Sequence, residues 1–160
     1  MSVLWLILGV IFITAVLSIC FVYFVVRPRV MGRVETGSLV LGQELHGREP
    51  LRSAPANCEG ISDPERLHLK GIGALGLTDQ ALVFGHGQSQ GSVIIPLASI
   101  DSVEVLKSVE ILAKKVRRPN PVLVVNWTNQ GQSQKTIAWS VDDPTQWVAA
   151  IEQAKGDLHA

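Results

Sequence analysis

Residues 3–26 read VLWLILGVIFITAVLSICFVYFVV, a run that contains no charged side chain. At about 1.5 Å per residue, a helix of this length reaches about 36 Å, which exceeds the ~30 Å hydrocarbon core of a bilayer. Helix is the expected structure because backbone groups in lipid must be hydrogen-bonded within the segment. Trp5 and Tyr23, near the two ends, suit the two interfacial levels. The run predicts a transmembrane signal-anchor helix over residues 1–26.

A cleaved signal peptide and a lipoprotein signal are the alternatives for this run. A signal peptide has a basic start, a shorter apolar core and a small-residue cleavage site, whereas Met1 and Ser2 carry no basic side chain. Residues 17–20, LSIC, resemble a lipoprotein box, but apolar sequence continues beyond Cys20 as far as Val26. The uncleaved anchor is the preferred interpretation.

The charges that flank the run predict its orientation. No Lys or Arg precedes it, whereas Arg27, Arg29 and Arg33 follow within a few residues. Under the positive-inside rule, this asymmetry places the N-terminus outside and the C-terminal domain in the cytoplasm. Pro28 is expected to end the helix as it leaves the bilayer.

Residues 27–64 are predicted to form a juxtamembrane linker, with one short strand at residues 38–41. Cys58 is expected to be exposed there, with a reactive or palmitoylated thiol as the alternative. The segment shows no sustained period and is rich in residues that break helices and strands. These are Gly32, Gly37, Gly42, Gly47, Pro50, Pro55 and Gly60.

From Leu67 to Val141 the pattern changes to short apolar runs separated by turn residues. Alternation is clear in residues 67–77 and 102–105, and residues 122–127 form the most apolar run. Runs at this spacing are typical of an antiparallel barrel or sandwich. We expect residues 65–158 to form a mainly-β domain built on a curled antiparallel sheet of six or seven strands.

The end of the domain is predicted to be an amphipathic helix. Asp143 suits the N-cap, Pro144 the first helical position and Gln146 the capping-box position. An apolar stripe at helical spacing and a terminal glycine follow. We expect this helix to cap one open end of the sheet, with its large apolar residues buried. The stripe consists of Trp147, Ala150, Ile151 and Ala154, and the glycine is Gly156.

Three segments of the domain resemble the GRAM and bacterial pleckstrin-homology-like domains. Residues 73–84, GALGLTDQALVF, look like the opening hairpin of that group, and residues 95–103, IPLASIDSV, look like its third strand and turn. The final helix, with Asp143-Pro144 and Trp147, is similar to the C-terminal helix of the group. The resemblance spans about 90 residues and implies a PH-like fold. Basic side chains around the first hairpin loop generally bind phosphoinositides in that group, whereas residues 78–80, TDQ, carry none.

Composition and motifs speak against catalysis and nucleic-acid binding. The net charge is zero, although nucleic-acid binding favours a basic surplus. Gly71-x-Gly73-x-x-Gly76 matches the dinucleotide fingerprint in letters, but a strand-like run follows it where the fingerprint requires a helix. No metal-ligand spacing or nucleophile elbow is present. We predict no enzyme, no cofactor and no metal. The four histidines are scattered: His46, His68, His86 and His159.

A basic cluster is the candidate contact site. Lys114, Lys115, Arg117 and Arg118 are predicted to lie in a loop that ends at Pro121. Such a cluster can rest on anionic lipid, at about 1 kcal/mol per basic residue near the surface. The alternative is a solvated loop that keeps a strand edge soluble.

The sequence therefore predicts a single-pass membrane protein whose cytoplasmic domain is a non-catalytic interaction or scaffold module. Its expected partner is a protein that the sequence does not identify. Anionic-lipid binding through residues 114–118 is the first alternative, and a small membrane-bound enzyme is the second.

Overall fold

A computed structural model describes residues 3–46, 48–88, 91–111, 114–129 and 133–158. The chain divides into two units, Met1–Gly32 and Arg33–Ala160. Helix α1 (Val3–Phe21) is followed by a π-helical segment (Val22–Val26) and by helix α2 (Arg27–Glu44). The described residues contain one helix long and apolar enough to cross a membrane, with a mean hydropathy of 2.4 over 18 residues, none of them buried. This agrees with the predicted anchor.

Seven antiparallel strands of the second unit form a curled sheet, as predicted. The strand order across the sheet is β4-β3-β2-β1-β7-β6-β5, so that the first and last strands are neighbours at its centre. Short 3-10 helices at Pro64–Leu69 and Leu97–Ser99 connect strands. The strands are β1 (Arg52–Ile61), β2 (Gly71–Leu77), β3 (Ala81–His86), β4 (Ser92–Pro96), β5 (Ile100–Ile111), β6 (Lys114–Trp127) and β7 (Lys135–Val141).

Helix α3 (Pro144–Asp157) covers the inner face of the sheet and lies against β5 and β6. Trp147 and Ile151 are both fully buried in the main core, together with Trp139. Asp143 caps the helix, because its carboxylate accepts from the Gln146 N–H at 3.1 Å. The capping helix and its buried stripe are thus confirmed.

Two details of α3 differ from the prediction. The Gln146 side chain does not close a capping box; its Oε1 accepts from Arg52 Nη2 at 3.1 Å. The helix also continues past Gly156 to Asp157. Arg52 begins β1, so the Gln146 side chain links the first strand to the first turn of the last helix.

The predicted linker, residues 27–64, is wrong in most of its length. Residues 27–44 are helix α2, and the expected strand at residues 38–41 is its middle, where Ser38 Oγ donates to the Val34 carbonyl at 3.0 Å. Pro28 does not end the helix, because the π-helical turn just before it, Val22–Val26, accommodates the proline within a helix that continues to Glu44. Gly47 lies outside the described residues.

The second half of that segment is strand β1, which lies at the centre of the sheet. It pairs with β2 over Arg52–Cys58 and with β7 from Ala56 onward. Pro55 is tolerated because β1 has only one neighbour at that point. The motif in residues 73–84 is therefore the second hairpin, β2–β3, and the first connection of the sheet is the segment between Ile61 and Gly71.

Helix α2 packs on the outer face of β2 and β3, at a contact made by glycines. A Cβ atom on Gly37 would lie 2.7 Å from the Gly85 carbonyl oxygen and 2.8 Å from the Ala74 nitrogen. Farther along the helix, Leu41 and Leu45 form a small buried cluster with Ala74 and Val83. The absence of side chains lets the helix and sheet backbones approach closely, so these glycines are packing residues.

Candidate functional site

The predicted basic residues lie in a strand, and their prediction as a loop is wrong. Lys114, Lys115, Arg117 and Arg118 are within the first part of β6, opposite the end of β5. The pairing is interrupted between Leu106 and Ser108, so that residues 118–121 have no ladder partner. Both prolines of the segment lie in this irregularity, which is where strands accommodate proline. The structure thus keeps the four residues together on one short stretch of backbone.

This stretch belongs to a two-stranded extension of the sheet, which we call the basic hairpin (residues 107–111 and 114–118). Strand β6 pairs with β7 only over Leu123–Trp127, whereas it pairs with β5 as far as Lys114. Among the described residues, no third strand pairs with the basic hairpin. Outside it, β5 is one edge of the sheet. A projecting strand pair rich in cations is the kind of feature that contacts a partner or keeps an edge soluble.

A second candidate is a groove of about 390 Å³ between helix α2 and the start of β1. Val34, Leu41 and Leu45 form its helical wall, and Pro55 and Ala74 contribute to its floor. Arg48 and Glu49, both exposed, lie in the connection that borders it. We call this the α2–β1 groove. Its lining is largely apolar, and its charged groups are one cation and one anion.

Sequence reasoning missed the α2–β1 groove because it placed α2 and β1 in a linker. A signal was present, since Val34, Leu41 and Leu45 recur at helical spacing with Gly37 on the same side. The polar residues between them and three glycines concealed the stripe. A search for helical spacing that accepts glycine as an interior residue would have found it.

The glycine fingerprint of residues 71–76 lies in strand β2 and is followed by strand β3. Gly76 faces Leu41, whose Cδ1 would be 2.8 Å from an added Cβ, and Gly73 lies against the Gly85 carbonyl. Gly71 has a φ of +136°, and His86 Nε2 would be 3.0 Å from its Cβ. These glycines therefore lie in a strand beneath close neighbours.

Neither the histidines nor Cys58 forms a reactive site among the described residues, which contain no group of three metal-ligating side chains. His46 follows α2 at a φ of 50° and its Nδ1 lies 2.8 Å from the Glu44 carbonyl, while His86 is buried in β3. His159 lies outside the described residues. Cys58, predicted to be exposed, is 1% exposed. Burial raises its pKa to about 12, so the thiol is protonated at neutral pH.

A buried carboxylate marks the outer face of β1. The register of β1 against β7 shifts between Cys58 and Gly60, which makes Glu59 the bulged residue. Glu59 is 3% exposed, and its Oε1 accepts from Asn57 Nδ2 at 2.7 Å and from Ser140 Oγ at 2.8 Å. These contacts join two central strands across the bulge, so Glu59 stabilises the sheet.

Comparison with known proteins gives little further guidance. No family model and no curated protein matches the chain. Among solved structures, it is similar to the crystal structure of the C-terminal domain of an unknown protein from Leishmania infantum, at 16% sequence identity and a TM-score of 0.46. That alignment covers 71% of this chain and 90% of that chain.

Proposed function

We propose that this protein is a membrane-anchored, non-catalytic interaction module whose domain binds a protein partner at the cytoplasmic membrane face. The observation that carries the anchor is the surface of α1, whose apolar side chains are exposed all round: Ile11 is 60%, Phe12 70% and Ile19 66% exposed. A helix that is apolar on every side belongs inside a large core or in a membrane. None of the described residues in the most apolar 18-residue window of this helix is buried.

The orientation rests on the arginines that follow the apolar run, Arg27, Arg29 and Arg33. A reporter that is active only in the cytoplasm, fused after Ala160, should be active. A reporter that requires export, fused at the same place, should be silent. The reverse pattern would overturn the proposed topology. Replacing the three arginines with Gln while adding three arginines after Met1 should invert the two signals, which tests the cause directly.

The non-catalytic interpretation draws support from the way the domain uses its polar residues. Asp63 binds Lys135 at 2.8 Å and so joins the β1–β2 connection to β7. Asn126 bonds Ser102 at 3.0 Å and Thr136 at 2.7 Å across three strands. Glu59 links β1 to β7 by accepting a hydrogen bond from Ser140. Each of these polar groups holds strands together, which suits a rigid binding module.

The proposed PH-like family relationship draws support from the placement of the three resembling segments. The first forms the hairpin β2–β3, the second starts in β4, and the third is α3. Strand β1 comes before the first segment. Residues 78–80, which were compared with the phosphoinositide-binding loop of that group, therefore form the second connection of this sheet and not the first. We propose the family for its fold and carry no ligand residues over.

Partner contact is proposed for the basic hairpin. Replacing Lys114, Lys115, Arg117 and Arg118 with Gln should abolish capture of an acidic protein partner by the full chain purified in detergent. The melting temperature should stay within a few degrees, because these residues are outside the strand segment shared with β7. Capture is read as a stoichiometric complex in size-exclusion chromatography, and higher salt should weaken it.

The matched control for this variant removes positive charge elsewhere. Arg48 and Lys70 are exposed and lie outside the basic hairpin, so Arg48→Gln with Lys70→Gln should retain the partner. Equal capture by the hairpin variant and the native chain would contradict the proposed contact.

Anionic lipid is the second candidate for the same hairpin, favoured by the density of its cations. In vesicles, lipid contact would slow hydrogen exchange of residues 107–118 when anionic lipid replaces neutral lipid. Salt would reverse the effect, and the four-Gln variant would not show it. Identical exchange on both vesicles would leave the protein partner as the function of the hairpin.

A further inference from the structure

We propose that the outer edge of strand β4 binds an extended segment of a protein partner, which adds a strand to the sheet and carries an acidic side chain. This inference rests on the proposed interaction function only for the existence of a protein partner. It concerns residues within the unit Arg33–Ala160, on a surface separate from the basic hairpin, and it does not depend on the membrane anchor.

Strand β4 is an end strand of the sheet. Among the described strands, it pairs only with β3. At one end of this ladder, the His86 N–H donates to the Gly91 carbonyl at 2.9 Å. At the other end, the Leu97 N–H donates to the Gln80 carbonyl at 2.8 Å. Bonded and non-bonded residue pairs alternate along an antiparallel ladder, so these two bonds fix the pattern for every residue of β4 between them.

The alternation directs three residues of β4 toward the free edge. Val93 and Ile95 hydrogen-bond to β3, and their side chains are buried in the main core. Ser92 and Ile94 therefore direct both their N–H and their carbonyl groups away from β3, and Pro96 directs its carbonyl the same way. Ile94 thus offers a donor and an acceptor to an added strand, and its side chain is 46% exposed on the outer face.

The two edges of the sheet differ in how they are protected. Natural edge strands commonly carry charged residues that discourage pairing with another chain. Strand β5 follows this rule, since Asp101, Glu104 and Lys107 are exposed along it. Strand β4 carries no charge, and Pro96 removes only the last donor of the strand. The composition of β4 therefore permits strand addition, which is a common way to bind an extended peptide.

A pocket of about 240 Å³ lies beside this edge, between the end of α2 and the outer faces of β3 and β4. We call it the α2–β4 pocket. Ile94 is its lining residue on β4, and His46, Arg48 and Gln80 are among its polar lining residues. Its volume equals that of about eight water molecules at ~30 Å³ each, which suits one long side chain. In an added strand, the residue opposite Ile94 has its side chain on the same face and can reach this pocket over Ile94.

The charges of the α2–β4 pocket favour an acidic side chain. Glu44 is already engaged, because its Oε1 accepts from Ser92 Oγ at 2.6 Å. Arg48 is exposed and forms no ion pair with the described residues. His46, whose Nδ1 lies 2.8 Å from the Glu44 carbonyl, adds no negative charge. The Arg48 guanidinium can therefore bind a carboxylate of the added segment through two parallel hydrogen bonds.

A second copy of the chain fits this edge less well. If two β4 strands paired about a two-fold axis at Ile94, Ser92 would face Pro96 of the other copy, which has no N–H to donate. The Ser92 carbonyl would then stay unpaired in each copy. The same symmetry would bring the two Arg48 side chains to one face, where like charges repel. An acidic segment of another protein avoids both costs.

The test begins with a library of short random peptides, which is selected against the full chain in detergent. The target is the four-Gln variant of the basic hairpin, so that this hairpin does not retain acidic peptides. We expect the selected peptides to share one acidic residue within a run of β-branched residues. When a selected peptide saturates the chain, hydrogen exchange of the Ser92 and Ile94 amides should slow at least tenfold.

Ile94→Pro tests the backbone contact. It removes the outward donor without removing a bond of the β3 ladder, because that N–H faces the free edge. Binding of the selected peptide, measured by fluorescence anisotropy, should weaken at least tenfold. Ile94→Val keeps the N–H and is the matched control, so it should bind as the native chain does. The melting temperatures of the two variants show whether the fold is kept.

A charge exchange tests the pocket independently, and it decides the question if Ile94→Pro does not fold. Arg48 is exposed, so Arg48→Glu should leave the melting temperature within a few degrees of the native value. This variant should bind the selected peptide at least tenfold more weakly. It should bind a peptide whose acidic residue is replaced with Lys more tightly than the native chain does.

The outcomes separate this edge from the other surfaces. A selection that yields no acidic peptide, undiminished binding by a folded Ile94→Pro, or equal binding of both peptides by Arg48→Glu would each overturn the proposal. Protection of the Ser92 and Ile94 amides that grows with chain concentration and without peptide would assign the edge to a second copy. Capture by the basic hairpin is measured with β4 unchanged, so either contact can fail while the other holds.

Discussion

Replacing Trp147 with alanine is expected to lower the free energy of unfolding of the domain by about 3–5 kcal/mol, the range found for a large aromatic side chain lost from a core. Trp147 is fully buried, and it joins α3 to the main core together with Ile151. Because a whole domain is typically stable by only about 5–15 kcal/mol, this single change should remove a large share of its stability.

The contact of Trp147 with strand β1 adds to this effect. The Arg52 guanidinium lies 5.1 Å from the centre of the Trp147 ring, and the same side chain donates to Gln146. A cation–π contact of this kind contributes about 0.5–1 kcal/mol at an exposed site. Loss of the indole therefore loosens the start of the central strand as well as the helix.

The measurement is denaturant unfolding of the full chain in detergent, followed by the fluorescence of the remaining tryptophans. Glu152→Ala is the control on the same helix, since that side chain is 51% exposed and its ion pair with Lys155 is 3.5 Å long. The control should shift stability by no more than about 0.5 kcal/mol. Equal midpoints for Trp147→Ala and the native chain would show that α3 does not close the core.

Local periodicity was sufficient to predict α1, the strands after Leu67 apart from the first part of β6, and helix α3. Each has its own repeat or cap within a few residues, as in the pairing of Asp143 with the Gln146 N–H. The same reasoning failed for α2 and β1. Glycine and proline normally indicate irregular backbone. Gly37, however, is required because the neighbouring sheet comes so close, and Pro55 is tolerated because β1 pairs with β7 only from Ala56 onward. Neither cause can be found without knowing the tertiary neighbours.

The two candidate sites also differ in how much of each could be predicted from local sequence. The basic residues were identified from charge alone, but their location depended on a pairing between β5 and β6 that local sequence does not encode. Prolines at positions 119 and 121 favoured a loop, whereas the structure accommodates them in an irregular part of the ladder. The α2–β1 groove could not be predicted from local sequence. It forms only where two segments meet, and neither segment has a clear pattern of its own.

Gly37→Ala should destabilise the domain by about 1–3 kcal/mol or more, although alanine is the better helix former by about 1 kcal/mol. The added methyl group would lie 2.7 Å from the Gly85 carbonyl oxygen and 2.8 Å from the Ala74 nitrogen. Both are backbone atoms of paired strands, so neither can move aside as a flexible side chain would. The helix must then lift from the sheet, which exposes Leu41 and Leu45.

Gly42→Ala is the matched control, because it makes the same substitution in the same helix where nothing lies within 4 Å. It should stabilise the chain by up to about 1 kcal/mol, opposite in sign to Gly37→Ala. Hydrogen exchange of residues 33–45 should accelerate in Gly37→Ala alone, which locates the loss at α2. If both variants instead gained stability, α2 would not be seated on the sheet, and the close approach of Gly37 to Gly85 would have to be abandoned together with the α2–β1 groove that depends on it.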